Sequence, residues 1–354
     1  MSKFLVDKYQ SIEPYTPGEQ PKKGSLIKLN TNESPFPPSP KAVAAVAEAS
    51  KDLNLYSDPE CTKLVAAIAD YYGVGTKNVI ATNGSDETLA FCFQAFCDGT
   101  TPAAYPDITY GFYKVFAKLY SVESKVIPLK SDFSVDPQDY MGIGSTVFLA
   151  NPNAPTGMAL SLEDIEKIAL SNPSNVVIID EAYVDFGGIS AVELTRKLCN
   201  LLVVQTFSKS RSLAGGRIGF SIGSEELIED LRKIKYSFNP YNVGALPQAA
   251  AAAAILDREY FDRNTAEIIA VREYTVEQLQ AMGVAVLPSC ANFIFVNPTR
   301  LSGGEYFAAL REKGVLVRHF TAPRVCDFVR VTIGSREQMD AYLKATREIL
   351  EERA

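Results

Sequence analysis

The chain has 354 residues, enough for one large domain and a smaller one, since single hydrophobic cores stop growing at about 250–300 residues. Its 47% hydrophobic and 22% charged residues are typical of an ordered globular protein and exclude a disordered or fibrous one. The net charge of −7 without a Lys/Arg-rich block argues against nucleic acid as a partner, and no apolar stretch is long enough for a membrane span, so we expect a cytoplasmic protein.

Histidine and cysteine usage narrows the chemistry. His319 is the one histidine of the sequence, so a histidine-based metal cluster is excluded, and a Ser-His-Asp triad lacks a GxSxG motif. The six cysteines form no CxxC pair, and we expect buried free thiols of a reducing compartment. We therefore predict no metal and disfavour a hydrolase.

The order of predicted elements indicates an α/β fold. Residues 1–40 contain the proline-rich run Pro35-Phe36-Pro37-Pro38 and read as an extended arm that packs on the smaller domain or on a partner subunit. Residues 41–244 alternate short β-branched runs with helical patterns, which predicts a mostly parallel sheet between helices. Residues 245–354 read as a smaller α+β domain. The predicted strands are Val79 to Thr82, Thr146 to Ala150, Val176 to Ile179, Leu201 to Phe207 and Ile218 to Ile222.

Polar residues follow these strands, where ligands gather in parallel sheets. Lys209 comes after Leu201 to Phe207; a lysine at the end of a buried strand loses solvation, and its neutral amine can then form a Schiff base with a carbonyl or with pyridoxal phosphate (PLP). Asp180 emerges from a buried strand and needs a positive partner, such as a protonated pyridine nitrogen. A solvated loop at Lys209 and a helix cap at Asp180 are the alternatives.

A phosphate site is predicted at Gly84-Ser85-Asp86, which lies between a strand and a helical run and offers backbone amides at a helix N-terminus. Arg217, eight positions after Lys209, can add a guanidinium. Neither GxGxxG nor GxxxxGK[ST] occurs, so a single phosphate monoester is favoured over a dinucleotide or nucleoside triphosphate. Ser85 as a simple N-cap is the alternative.

An ordered set of motifs resembles the class II branch of the fold-type I PLP-dependent aminotransferases, and the similarity runs nearly end to end. The motifs are Asn30-Thr31-Asn32-Glu33-Ser34-Pro35, Asn83-Gly84-Ser85-Asp86-Glu87, Thr109-Tyr110-Gly111, Asn151-Pro152-Asn153-Ala154-Pro155-Thr156-Gly157, Asp180-Glu181-Ala182-Tyr183, Ser208-Lys209 to Arg217, and Val329-Arg330-Val331-Thr332-Ile333-Gly334. The resemblance implies a large PLP-binding domain, a smaller C-terminal domain and a homodimer with shared active sites.

Residue roles follow from the resemblance. It makes Lys209 the Schiff-base lysine and proton shuttle, Asp180 the partner of the pyridine nitrogen and Tyr183 the ligand of the ring oxygen, with Tyr110 stacked on the ring. The residues implied around the cofactor phosphate are Gly84, Ser85, Asp86, Ser208 and Arg217, with Tyr56 of the neighbouring subunit. The family usually has Asn immediately before Pro-Thr-Gly; here that position is Ala154, and we predict that Asn153 takes over its contact with the ring oxygen.

Substrate binding is assigned in the same way to Arg330, to Arg318 and to Tyr15 of the other subunit, since a guanidinium binds phosphate and carboxylate bidentately. A solvated strand-end charge is the alternative for Arg318, and His319 is predicted to be a structural or rim histidine rather than a catalyst. The implied reaction transfers the amino group of L-histidinol phosphate to 2-oxoglutarate and gives imidazole acetol phosphate and glutamate, a step of histidine biosynthesis. The alternatives are threonine-phosphate decarboxylation, aromatic amino-acid transamination and a noncatalytic PLP-fold ligand sensor.

Overall fold

The computed structural model describes residues 2–10, 12–22, 24 and 26–352. Its strands are β1 (Ile27–Lys28), β2 (Val79–Thr82), β3 (Ala103–Pro106), β4 (Ser124–Ile127), β5 (Thr146–Ala150), β6 (Val177–Asp180), β7 (Leu201–Thr206), β8 (Gly219–Ile222), β9 (Ala285–Val286), β10 (Phe293–Asn297), β11 (Val315–Leu316), β12 (Arg318–His319) and β13 (Val329–Thr332). Its α-helices are α1 (Asp7–Gln10), α2 (Pro40–Ala49), α3 (Thr62–Tyr72), α4 (Ser85–Phe96), α5 (Phe112–Tyr120), α6 (Leu162–Ser171), α7 (Glu225–Phe238), α8 (Ala245–Leu256), α9 (Arg258–Ala281), α10 (Gly303–Glu312) and α11 (Arg336–Glu352).

The large sheet has the order β2-β8-β7-β6-β5-β3-β4. Strand β8 runs antiparallel to both of its neighbours, and the other pairs are parallel. Every residue of β5, β6 and β7 is buried, because helices cover both faces of the sheet, and this is why these strands read as continuous apolar runs. The mostly parallel sheet predicted from the sequence is confirmed, and β3 and β4 extend it beyond the five predicted strands.

A second, antiparallel sheet in the order β12-β13-β10-β9 forms the C-terminal part of the chain. The arm is attached to this part: β1 pairs in parallel with β11, and Glu19 forms a bidentate ion pair with Arg311 at 2.6 and 2.8 Å. These parts of the arm therefore contact the C-terminal part of their own chain.

Two of the hydrophobic clusters, one under the large sheet and one under the C-terminal sheet, indicate where the boundary between the predicted domains lies. Helix α8 packs against α2 and α3, and its Ala251 and Ile255 belong to the core of the large sheet. Ile268 and Val271, farther along α9, belong to the core of the C-terminal sheet. We therefore propose a boundary inside α9 rather than at residue 245.

The burial of the cysteines agrees only in part with the sequence prediction, since Cys290 and Cys326 are half-buried and Cys199 is exposed. All six cysteines are free; Cys61, Cys92 and Cys97 are buried as expected, whereas Cys199 is exposed, because it lies in the connection before β7 rather than in an apolar run. Within the described residues, no helix is both long enough and apolar enough to span a bilayer, and no cluster of His, Cys, Asp or Glu has the makings of a metal site.

Candidate active site

The carboxyl ends of β5, β6 and β7 meet at one edge of the large sheet. The register pairs Ala150 with Asp180 and Asp180 with Val204, so the residues that follow these strands emerge side by side. Lys209 follows β7 by three residues, and its Nζ lies 5.8 Å from the ring centroid of Tyr183. This edge thus brings together the lysine, the aspartate and the tyrosine predicted to be catalytic.

The amine of Lys209 is held in a site that disfavours its charge. Its Nζ donates a 3.2 Å hydrogen bond to the carbonyl oxygen of Thr31 in the arm. Burial, joined by the positive charge of Arg330 and opposed by Glu33, lowers the pKa of Lys209 to about 8. A substantially larger fraction of the amine is therefore neutral near pH 7 than in a solvated lysine, and this is the state needed for attack on a carbonyl. The solvated-loop alternative does not fit this environment.

Asp180 is a buried carboxylate with one unused oxygen. Its Oδ2 accepts a 3.0 Å hydrogen bond from the hydroxyl of Tyr113, whereas its Oδ1 has no partner among the described residues. Burial raises the pKa of Asp180 to about 7. A buried carboxylate oxygen without a donor is costly, so the site is suited to a cationic N–H group from outside the chain. The protonated ring nitrogen of PLP meets that requirement.

The segment from Gly84 to Asp86 has the geometry of an anion site. Gly84, with φ of +78°, is the N-cap residue of α4, so Ser85 is the first helical residue and the N-cap alternative for Ser85 is wrong. The N-cap glycine leaves the first-turn amides without a side-chain partner of its own. A Cβ atom on Gly219 would lie 2.4 Å from the backbone nitrogen of Ser85. Glycine at this position therefore allows β8 to pass close to the turn without a clash.

Arg217 completes this cradle from the start of β8. One guanidinium nitrogen lies 3.2 Å from Oδ2 of Asp86, and the other donates a 3.4 Å hydrogen bond to the hydroxyl of Ser208. The hydroxyl of Tyr110 donates to the second oxygen of Asp86 at 2.6 Å. The predicted phosphate-binding residues are therefore gathered in one place, with backbone amides and a guanidinium available to a phosphate group.

Tyr183 and Asn153, the two residues predicted to contact a ring oxygen, differ in how their polar atoms are hydrogen-bonded. The hydroxyl of Tyr183 accepts a 3.0 Å hydrogen bond from Nδ2 of Asn32. Asn153 instead uses its amide inside the protein, since its Nδ2 donates to the carbonyl of Ile108 at 3.0 Å and to the hydroxyl of Thr156 at 3.1 Å. The role of Asn153 toward a ring oxygen stays a prediction, and both of its amide hydrogens are engaged elsewhere in this structure.

The predicted substrate residues lie on the facing sheet and the arm. Arg318 and Arg330 are paired across β12 and β13, and Nε of Arg330 is buried without a partner in the part of the chain that the structure describes. Nη2 of Arg330 donates to the carbonyl of Asn30 at 3.2 Å, and Nη2 of Arg318 donates to that of Thr16 at 3.3 Å. Among the described residues, neither guanidinium forms an ion pair.

Two tyrosines belong to surfaces rather than to the buried site. The chain's own Tyr15 stacks on Phe112 at a centroid distance of 4.3 Å and lies 6.5 Å from Tyr110, whereas the sequence predicts a Tyr15 contribution from a second subunit. Tyr56 is 85% exposed and stacks on Tyr241 at 4.7 Å. His319 is half-buried, and its Nε2 contacts the carbonyl oxygen of Cys326 at 2.8 Å.

Sequence reasoning missed three residues that contact the site: Tyr113, Thr31 and Asn32. Tyr113 lies in the first turn of α5, and its hydroxyl reaches Asp180 at the end of β6. Asn32 and Thr31 lie inside a motif that the resemblance had already marked, but a motif alone does not indicate which of its atoms reach a distant side chain.

The chain matches the family model of class I and II aminotransferases over residues 24–345. It is 49% identical over 352 residues to the histidinol-phosphate aminotransferase of Brachyspira hyodysenteriae, which covers 99% of both chains. It is 48% identical over 351 residues to that of Clostridium acetobutylicum, which covers 99% of this chain and 100% of the other.

Solved structures show the same fold. Histidinol-phosphate aminotransferase from Sinorhizobium meliloti in complex with pyridoxal-5'-phosphate superposes with a TM-score of 0.90 at 23% identity, covering 100% of this chain and 99% of that one. The enzyme from Clostridium acetobutylicum superposes with a TM-score of 0.86 at 21% identity, covering 92% and 100%. The family model matches most of the chain, and the fold of the solved structures agrees with it. The chain therefore belongs to the class I and II aminotransferases.

Proposed function

We propose that the protein is a PLP-dependent aminotransferase that transfers the amino group of L-histidinol phosphate to 2-oxoglutarate in histidine biosynthesis. The full-length identity of 49% to a histidinol-phosphate aminotransferase supports the substrate assignment. The single structural observation that supports the chemistry is the presence, at one edge of the sheet, of a lysine of lowered pKa and a buried aspartate whose Oδ1 has no partner among the described residues.

When bound, PLP supplies an electron sink through its protonated pyridine ring. Asp180 would hold the proton on the ring nitrogen with its free Oδ1, and Tyr113 keeps the other oxygen in place. The amides at the start of α4, with Arg217 and Ser208, would bind the phosphate group. Nζ of Lys209 would take the proton that leaves the α-carbon of the substrate and would deliver a proton to C4' of the cofactor.

The pair of arginines favours a phosphorylated donor. Arg318 and Arg330 are neighbours across two strands, and neither is neutralised by a carboxylate in the described structure. Two adjacent guanidinium groups suit a phosphate dianion better than the single carboxylate of an aromatic amino acid. In the second half-reaction Arg330 would hold a carboxylate of glutamate or 2-oxoglutarate.

We also propose a homodimer in the cytoplasm. Leu53 is 56% exposed, Leu55 is 65% exposed and Tyr56 is 85% exposed. Phe238 and Tyr241 are exposed as well. Apolar side chains in such a cluster are typical of a surface that a second subunit covers, and Tyr56 would then reach the phosphate of the neighbouring site. Six free thiols fit a reducing compartment.

The test is a single half-reaction. The PLP-loaded enzyme is mixed with L-histidinol phosphate in the absence of keto acid, and the visible cofactor band and carbon dioxide are followed together. Stoichiometric loss of the band without carbon dioxide, reversed by 2-oxoglutarate, supports the proposal.

Three control substrates separate the alternatives. L-histidinol, which lacks the phosphate, should react poorly if the two arginines bind that group. Threonine phosphate with release of carbon dioxide would instead identify a decarboxylase, and an equal or faster reaction with L-phenylalanine would identify an aromatic aminotransferase. A band that none of these compounds changes would support a noncatalytic sensor.

A further inference from the structure

Three consecutive arm residues, Asn30, Thr31 and Asn32, each contact a different group of the candidate active site. The carbonyl of Asn30 accepts from Arg330, the carbonyl of Thr31 accepts from Lys209, and the side chain of Asn32 donates to Tyr183. We call these residues the 30–32 segment. The first two contacts use backbone atoms, so Asn32 is the member of the segment whose side-chain chemistry matters.

Asn32 is the hydrogen-bond donor that the structure provides to Tyr183. Its Nδ2 lies 3.0 Å from the phenolic oxygen, and both side chains are buried. Ala154 packs in the same apolar cluster as Tyr183 but carries no polar side-chain atom, and the amide hydrogens of Asn153 are engaged elsewhere. The loop of residues 153–154 therefore leaves this oxygen to Asn32.

The orientation of the Asn32 amide follows from its other contacts. The hydroxyl of Thr332 accepts from the backbone N–H of Asn32 at 2.9 Å, so its own proton is free to be donated to Oδ1 of Asn32 at 3.1 Å. In this structure Oδ1 of Asn32 therefore accepts from Thr332, and Nδ2 faces Tyr183. The carbonyl of Asn32 accepts from Asn292 at 3.1 Å, which fixes the backbone as well.

An N–H donor at the phenolic oxygen decides what the phenol itself can do. Asn32 occupies a lone pair of that oxygen and offers no acceptor to it, so the O–H proton of Tyr183 must point to another partner. The same bond, together with the charge of Arg330, lowers the pKa of Tyr183, although burial raises it more. Tyr183 is thus prepared to donate a hydrogen bond.

We propose that Asn32 is a positioning residue that makes Tyr183 a hydrogen-bond donor toward the ring oxygen of bound PLP. This inference rests on the proposed function, since it concerns the cofactor named there. Thr332 lies two residues from Arg330 on β13, so the smaller domain holds the amide that orients a side chain of the large domain.

The test uses two substitutions and the pH titration of the visible band of the PLP-loaded enzyme. Asn32 has φ of 55°, a conformation that Asp and Gly tolerate and most residues do not. Asn32→Asp keeps the shape and the acceptor for Thr332 but replaces the donor with an acceptor, so the phenol turns toward residue 32. Asn32→Gly removes the side chain altogether.

A hydrogen bond donated by Tyr183 stabilises the ring oxygen as an anion, so the oxygen binds a shared proton less tightly. Loss of this hydrogen bond should therefore raise the pH midpoint of the titration. We expect a rise of about one unit in Asn32→Asp and about half a unit in Asn32→Gly. In a Tyr183→Phe background, Asn32→Gly should add no further shift, because its effect passes through the phenol.

The outcomes separate the two proposals. A wild-type enzyme that shows no visible band after loading with PLP contradicts the proposed function itself. A wild-type band that titrates normally but keeps its midpoint in Asn32→Asp contradicts only the role of Asn32. A shift caused by Asn32→Gly that persists in the Tyr183→Phe background also contradicts the role of Asn32. A purely structural residue would lower the melting temperature and leave the midpoint where it is.

Discussion

Replacing Asp180 with Asn should stabilise the protein without PLP and weaken its stabilisation by PLP. Burial raises the pKa of Asp180 from 3.8 to about 7, so the folded chain binds this proton more tightly than the unfolded chain. The stabilisation from the bound proton is complete below pH 3.8 and is lost as the pH rises through about 7. A difference of about three pKa units corresponds to about 4 kcal/mol in the free energy of unfolding.

At pH 8 the cofactor-free wild type therefore bears a buried, ionised carboxylate, and Asp180→Asn removes that charge while keeping the shape and an acceptor for Tyr113. We expect the variant to unfold at a higher urea concentration than the wild type at pH 8, and by less than half of that margin at pH 5, where the carboxyl group of the folded wild type is still protonated. With PLP bound the order should reverse, since the carboxylate gains a cationic partner that Asn cannot replace.

Urea unfolding followed by circular dichroism at both pH values, with and without PLP, measures these four differences; the chain has no tryptophan for a fluorescence signal. Glu181→Gln is the matched control: burial raises the pKa of Glu181 to about 7 too, but its carboxylate binds Ser190 and Gln205 within the protein. That variant should change the pH dependence and leave the stabilisation by PLP as in the wild type. The reasoning is refuted if cofactor-free Asp180→Asn has the pH dependence of the wild type, or if PLP stabilises both equally.

Three further substitutions test other parts of the site. Lys209→Ala should keep the melting temperature within a few degrees and lower turnover by about four orders of magnitude, because the proton-transferring amine is gone; ordinary transamination rates would contradict its role. Tyr113→Phe removes the hydrogen bond to Asp180 and should weaken PLP binding about tenfold in an equilibrium titration, whereas Tyr105→Phe, which removes a hydroxyl bonded to Ser124 at 2.8 Å, should not. Arg318→Gln should raise the KM for L-histidinol phosphate about tenfold in steady-state assays and change that for glutamate much less; equal changes would mean that Arg318 does not distinguish phosphate from carboxylate.

The sheet was predictable where its strands are buried on both faces. The strands β5, β6 and β7 are continuous apolar runs that end in polar residues, and this pattern was sufficient to place Asp180 and Lys209 at one edge. Strand β4 was missed because it is an edge strand with exposed Lys125 and Val126 and so lacks an apolar run. Strand β3 was missed because it begins with two alanines and ends in Pro106, residue types that are uncommon in strands.

Contacts between distant parts of the chain could not be predicted from local patterns. Asn32 and Tyr183 are 151 positions apart, and their hydrogen bond depends on how the arm crosses between the two domains. Helix α8 shows the same limit at the level of packing, since its alanine-rich sequence indicates burial on several sides but not the core that it joins.

The antiparallel direction of β8 has a consequence for the size of molecule that this site accepts. Because β8 runs back beside β7, with Gly219 opposite Thr206, the connection between them leaves the sheet edge and returns to it. Lys209 lies near the start of this connection and Arg217 near its end. An inserted or deleted residue between them would change the separation of amine and guanidinium without altering either side chain. The length of a single hairpin connection thus controls how far the amine of Lys209 lies from the guanidinium of Arg217.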